Sequence, residues 1–175
     1  MGYRTTASGN YSTAMGIGTT ASGDQSAAMG NSTAAIGFAS TAMGASTIAN
    51  GYFSTAMGFL TKASDYGSLV IGRLNSAGSS VSTGGSATAF DTDNTAFVIG
   101  NGSFASFSDA FKVMYNGDVT AAGTISATSF VGDGSGLTGI NSNTASITTN
   151  ISDIASNSAD ITTNQGLIAA NAASI

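Results

Sequence analysis

Glycine stands at every seventh place along the first third of the chain: Gly2, Gly9, Gly16, Gly23, Gly30, Gly37, Gly44, Gly51 and Gly58, followed by Asp65 and Gly72. From Gly9 onward the residue two places earlier is small and apolar: Ala7, Ala14, Ala21, Ala28, Ala35, Ala42, Ala49, Ala56, Ala63, then Val70. A second period overlies the first. The residue just before glycine is Met15, Met29, Met43, Met57 and Ile71 in one set of units, and Ser8, Ser22, Ile36, Asn50 and Ser64 in the alternate set. The repeat is therefore fourteen residues long and consists of two unlike seven-residue arms.

A period of seven is also that of a coiled coil, but a glycine in every heptad would cost about 1 kcal/mol each in a helix. A β-solenoid fits better: strands of about five residues separated by glycine-led turns of two, with glycine at the corner because it can take positive φ. Side chains of a strand alternate faces, so the alanine and methionine positions point opposite ways. Alanine occurs on both arms and belongs between them. Methionine occurs on one arm only and faces outward. An apolar Met/Ile stripe at about 4.8 Å per rung needs a partner surface, and identical coils packed around an axis supply one. Ser and Asn on the other arm suit solvent.

The rest of the composition narrows the function. The 175 residues include 24 Gly and no Pro, Cys, Trp or His, and only 7% are charged. Without Cys or His the usual zinc, haem and iron–sulfur sites cannot form, nor can Ser-His-Asp or Cys-His nucleophiles. Four basic residues and a net charge of −5 give no footprint for nucleic acid. No apolar run reaches the roughly 18 residues of a membrane span, and the N-terminus lacks the apolar region of a signal peptide. Met-Gly with Thr6 fits a myristoylation pattern, but the repeat already occupies those residues.

The phrases "STAMG", "SAAMG", "STAAIG" and "SLVIG" resemble the head repeats of trimeric autotransporter adhesins, the YadA-like β-roll. The resemblance covers residues 2–72. It implies a left-handed parallel β-roll with fourteen-residue coils, assembled as a homotrimer. The trimer interface would then comprise Met15, Met29, Met43, Met57 and Ile71. The variable places after glycine hold Tyr3, Tyr11, Phe38, Tyr52, Phe53, Phe59 and Tyr66. Aromatics at exposed corners either stack on one another along the roll or contact a sugar or protein receptor. Tyr11, Phe38, Tyr52, Phe53, Phe59 and Tyr66 are the receptor-contact candidates.

The head spans 1–72. Residues 73–100 are Ser/Gly-rich, and Gly100 follows Gly72 by two coil lengths. Two irregular rungs or a loop can fill the interval, and the loop is preferred. "DTDN" (Asp91 to Asn94) has calcium-like spacing but lacks the glycine and glutamate of an EF-hand, so turn chemistry is expected and no metal site is assigned. Residues 101–139 form a β connector. Asn116-Gly117 between strand-like runs predicts a type I′ hairpin. Gly132, Gly134 and Gly136 imitate a phosphate loop, but no Lys follows and no βαβ context surrounds them. The run "NGDVTAAGTISATSFVGDGSGLTG" resembles bacteriophage tail fibres and related fibres.

From Ile140 the period of seven returns in another alphabet. Ile lies at 140, 147, 154, 161, 168 and 175, and Asn three places on at 143, 150, 157, 164 and 171. This predicts a coiled-coil stalk over 140–175, with Ile147, Ile154, Ile161 and Ile168 in the interface. A rival frame puts Ile at d. Asn at d is preferred because its recurrence is unbroken. The pattern is similar to adhesin stalks whose Asn rings hold an anion, which implies structural chloride at Asn143, Asn150, Asn157, Asn164 and Asn171; plain polar layers that set register are the alternative. No other cofactor is expected.

These parts together predict an extracellular, non-enzymatic homotrimeric fibre for surface attachment. Its partners would be copies of itself and a cell-surface glycan or protein receptor, without nucleic acid or membrane insertion. The connector makes a virion tail fibre the leading reading. An adhesin on a bacterial surface, which the head and stalk alone favour, is the alternative, and a purely structural spacer is a third reading. An ice-binding array is disfavoured because its column, Thr13, Ala27, Thr41, Thr55, Leu69, is broken.

Overall fold

The computed structural model describes residues 2–76, 84–129, 131–132, 136 and 138–174. Two compact units divide it, residues 1–126 and 127–175.

The first unit is a parallel β-solenoid. Long strands β1 (Gly2–Tyr3), β3 (Thr13–Ile17), β5 (Ala27–Asn31), β7 (Thr41–Ala45), β9 (Thr55–Phe59) and β11 (Leu69–Arg73) alternate with short strands β2 (Thr6–Ala7), β4 (Thr20–Ala21), β6 (Ala34–Ala35), β8 (Ile48–Ala49) and β10 (Lys62–Ala63). β12 (Thr95–Asn101), β13 (Asp109–Met114) and β14 (Val119–Ala121) follow. The long strands and these last three form one nine-stranded sheet, ordered β1-β3-β5-β7-β9-β11-β12-β13-β14; the short strands form a five-stranded sheet. Equivalent residues of successive coils pair, as in Ala14↔Ala28, Met15↔Met29 and Gly16↔Gly30.

Between the sheets lies little but alanine. Ala28, Ala42 and Ala56 from the long arm meet Ala21, Ala35, Ala49 and Ala63 from the short arm, all fully buried. Val70 and Val98 continue the column. Inner Thr19, Thr33, Thr47 and Thr61 are also buried, with hydroxyls that find no partner. In contrast, the Ser54 hydroxyl donates to the Gly51 carbonyl and that of Ser68 to Asp65.

Two expectations about the coil are corrected. The arms are unequal, five residues against two, because the short arm turns immediately after its alanine. There the Ser22 and Gly23 N–H groups share the Ala35 carbonyl, and the Ser26 N–H closes a four-residue turn on Gly23. Nor does glycine lead the corner. The left-handed residue lies two places later, at Arg4, Tyr11, Gly18, Gln25, Ser32, Ala39, Ser46, Phe53, Leu60, Gly67 and Leu74, with φ between 45° and 67°. That conformation turns the N–H back toward the preceding coil: Gln25 donates to Asn10, Ala39 to Asp24 and Phe53 to Phe38, whereas strand residues donate forward. Glycine is needed for closeness and, in the long arm, for positive φ as well. A Cβ at Gly30 would overlap the Gly44 carbonyl oxygen of the next coil, and its φ of 122° is itself closed to L residues.

The short-strand sheet ends at β10, where the Asn75 side-chain amide stands in for a further strand. It accepts from the Lys62 N–H at 2.8 Å and donates to the Lys62 carbonyl at 3.2 Å. The long-strand sheet continues, with β12 lying directly on β11 and Gly100 on Gly72. Asp65, in the glycine column, is buried and accepts the Thr95 N–H at 2.7 Å. The turn joining β13 to β14 is not type I′. Gly117 donates to the Met114 carbonyl and Met114 to Asp118, and only Gly117 has positive φ. A turn over 114–117 that ends in a left-handed glycine is the three-residue hairpin loop with a bulge.

The second unit contains α1 (Thr138–Ala173), a helix of 36 residues. Thr149, Thr162 and Thr163 return their hydroxyls to the carbonyls four residues earlier. The side chains of Ile140 and Asn143, together with Ile175, lie outside the described residues. Among the described residues no helix is long and apolar enough to cross a membrane.

Gly30→Ala should destabilise the roll by about 3 kcal/mol or more through overlap and positive-φ strain. Thr33→Val, which removes an unpartnered hydroxyl, should stabilise it by about 1 kcal/mol. Urea midpoints at one protein concentration measure both; equal midpoints would contradict this description of the coil.

Candidate functional site

Three surfaces carry the residues singled out by the sequence. On the nine-stranded sheet, Met15, Met29, Met43 and Met57 pair rung on rung and point away from the alanine core. Ile71, beside buried Val70, pairs with Ile99 on the next strand. Met15 and Met57 are 43% and 39% exposed, and Met29, Met43 and Ile71 are half-buried. The alternate arm shows Ser8, Ser22 and Ile36 to solvent, while Asn50 is half-buried and Ser64 buried.

The aromatic candidates do not form one group. Phe38, Tyr52, Phe53 and Tyr66 gather at the corner that follows the short arm. Phe38 meets Tyr52 at 5.9 Å and Phe53 at 5.4 Å, and Phe53 meets Tyr66 at 5.3 Å, mostly edge to face. Such pairs add about 0.5–1.5 kcal/mol each beyond burial. Phe59 lies at the opposite corner and meets Phe104 at 5.7 Å. Tyr11 is 91% exposed.

The aromatic corner has a further wall that the repeat does not announce. Residues 86–87 run beside it, their carbonyls accepting the N–H groups of Tyr66 and Tyr52. Asn94 holds this segment in place. It is fully buried, its side chain accepting the Ser86 N–H at 2.6 Å and donating to the Ala89 carbonyl at 3.0 Å. Tyr115 donates its hydroxyl to the Gly67 carbonyl and stacks on Phe90 at 5.2 Å. The only sequence signal for this cap is the break in the glycine column at Asp65. At Asp91 to Asn94 the carboxylate of Asp91 accepts the Asp93 N–H and its carbonyl accepts that of Asn94, an Asx turn. Among the described residues no group of three His, Cys, Asp or Glu could hold a metal ion.

The third surface is on α1. Ile147, Ile154, Ile161 and Ile168 recur at heptad spacing and are 58–68% exposed on the single helix. Asn150, Asn157, Asn164 and Asn171 are exposed as well. Within the described part of α1 these residues form a heptad-spaced apolar seam open to solvent.

The family model of the YadA head domain repeat matches residues 1–33, 35–61 and 49–74. No curated protein matches the chain. Residues 1–74, with their fourteen-residue parallel coils and alanine core, are therefore a YadA-like β-roll head.

Proposed function

We propose that the chain is one protomer of a homotrimeric, non-enzymatic, extracellular fibre for surface attachment. The carrying observation is the outward column Met15, Met29, Met43, Met57, Ile71, stacked without interruption on a roll whose interior holds no room for it. Three copies would close their columns against one another. YadA-type head repeats support an adhesin-type fibre. The run at 116–139, similar to tail-fibre connectors, supports a virion fibre as the second reading.

In α1, Ile147, Ile154, Ile161 and Ile168 would line the axis of a three-stranded stalk. The Asn amides between them, at 143, 150, 157, 164 and 171, would converge N–H donors on bound chloride, which satisfies groups otherwise buried without partners. The exposed rings of Tyr52 and Phe53, backed by Phe38 and Tyr66, make the aromatic corner the receptor-facing candidate. Tyr11 and Phe59 are separate candidates.

Met43→Asp should abolish assembly, since three desolvated carboxylates would meet where apolar contact is needed; an unchanged particle mass would sink the proposed interface. Crystals grown in bromide should show anomalous density at the layers of Asn150, Asn157 and Asn164, and its absence from all of them would leave the Asn as plain polar layers. Deleting residues 1–72 should abolish attachment to target cells. Full attachment by the remainder would make the head a spacer.

A further inference from the structure

We infer that the face shared between copies does not stop with the repeats but runs on through β12, β13 and β14, so that Phe97, Ile99, Phe111 and Val113 are buried against another copy of this chain. The inference rests on the trimer proposed above and extends it to residues outside the family match.

Register carries the first part. Directly paired residues of neighbouring strands share a face. Leu69 pairs with Phe97 and Ile71 with Ile99. The chain then reverses, and Ile99 pairs with Phe111 while Phe97 pairs with Val113. Phe111 and Val113 pass the face on to Ala121 and Val119. The methionine column and its outward neighbour therefore continue across three strands that belong to no repeat. The register shifts in this pairing fall on either side of the Phe97–Ile99 stretch, so the alternation there is intact.

The second part is an inversion of polarity. On the inner face, buried Val98 pairs with Lys112, and Lys112 with Thr120. Strands that finished the roll's own core would put Phe111 and Val113 on that side. Beyond Val98 the inner positions turn polar at Lys112 and Thr120 while the outer ones stay apolar, the reverse of a self-sufficient cap. Phe97, Ile99, Phe111 and Val113 are half-buried and Val119 is 54% exposed. Phe97 and Phe111 sit 6.3 Å apart, and an open cleft of about 530 Å³ bordered by Phe111, Ala121 and Ile125 adjoins them.

Another copy is the occupant for two reasons. Neither outward column contains a charged residue from Met15 to Ala121, so identical faces meet without like-charge repulsion. The heptad seam of α1 is a separate, self-complementary surface of the same chain. Along the shared face the side chains grow from Met and Thr to Phe, so the contact changes from a thin, adaptable one to an aromatic cluster.

The chain has no cysteine, which makes thiol cross-linking clean. Full-length Met43→Cys, Phe111→Cys, Ile99→Cys and Lys112→Cys variants would be treated in the native state with a short bis-maleimide and read on a denaturing gel. Covalent oligomers are expected for Met43→Cys, Phe111→Cys and Ile99→Cys, and only background for Lys112→Cys on the inner face. Cross-linking at Met43→Cys alone would confine the shared face to the repeats and overturn the inference while the trimer stands. Cross-linking at none of the four would overturn both. Ile99→Cys guards against misfolding by the loss of the Phe111 ring.

Discussion

The structure depends on how closely one coil's backbone approaches the next. At each glycine of the seven-residue column from Gly2 to Gly58 the carbonyl of the following coil occupies the space a Cβ would take, as Gly44 does for Gly30. That approach lets every fourteenth residue pair in register and carries the backbone ladder through strands and corners alike. Between the arms only small side chains fit, mostly alanine with buried Thr and Ser beside it. Such an interior gives little hydrophobic stabilisation per residue, at about 25 cal/mol per Å² of apolar surface buried. Order comes chiefly from the repeated backbone pairing, so one misplaced Cβ disturbs two coils at once.

Between its arms a roll this thin has no room for aromatic or methionine side chains, and these become surface features. The aromatic residues resolve this locally by stacking on one another at the corner, where the segment at 86–94 walls them in. The methionines have no such recourse. Their column faces away from the alanine core, and the apolar side of β12 to β14 prolongs it. Ile147, Ile154, Ile161 and Ile168 pose the same problem on α1. Two surfaces in separate units, one sheet and one helix, thus carry apolar side chains that the proposed assembly of identical copies would cover.

Much of the head was legible because its period is strict. The fourteen-residue coil, alanine within and methionine without follow from alternation alone, and the helix at 138–173 falls where isoleucine recurs. The corners were not legible. Their left-handed residues are as unlike as Arg4, Gln25, Ala39 and Leu60, because the backbone ladder imposes the conformation rather than the side chain. Glycine was legible as a necessity, and positive φ is indeed its reason in the long arm, as at Gly30 and Gly44; the close approach of the next coil, which alone demands glycine at Gly23 and Gly37, was not foreseen. The caps were hidden as well. Asn75 and Asp65 act through side-chain hydrogen bonds to the last rungs, and such bonds leave no periodic trace. The Asn-Gly pair announced a hairpin but not its loop length, which depends on the closing Met114–Asp118 pair.

Self-association through the methionine face and the isoleucine seam is the central claim. Its most direct test is the mass of the full chain in native solution, by sedimentation equilibrium across a range of concentrations. A particle three times the 17.0 kDa chain is expected. A stable 17.0 kDa monomer at every concentration would contradict it, since both apolar surfaces would then stand in water.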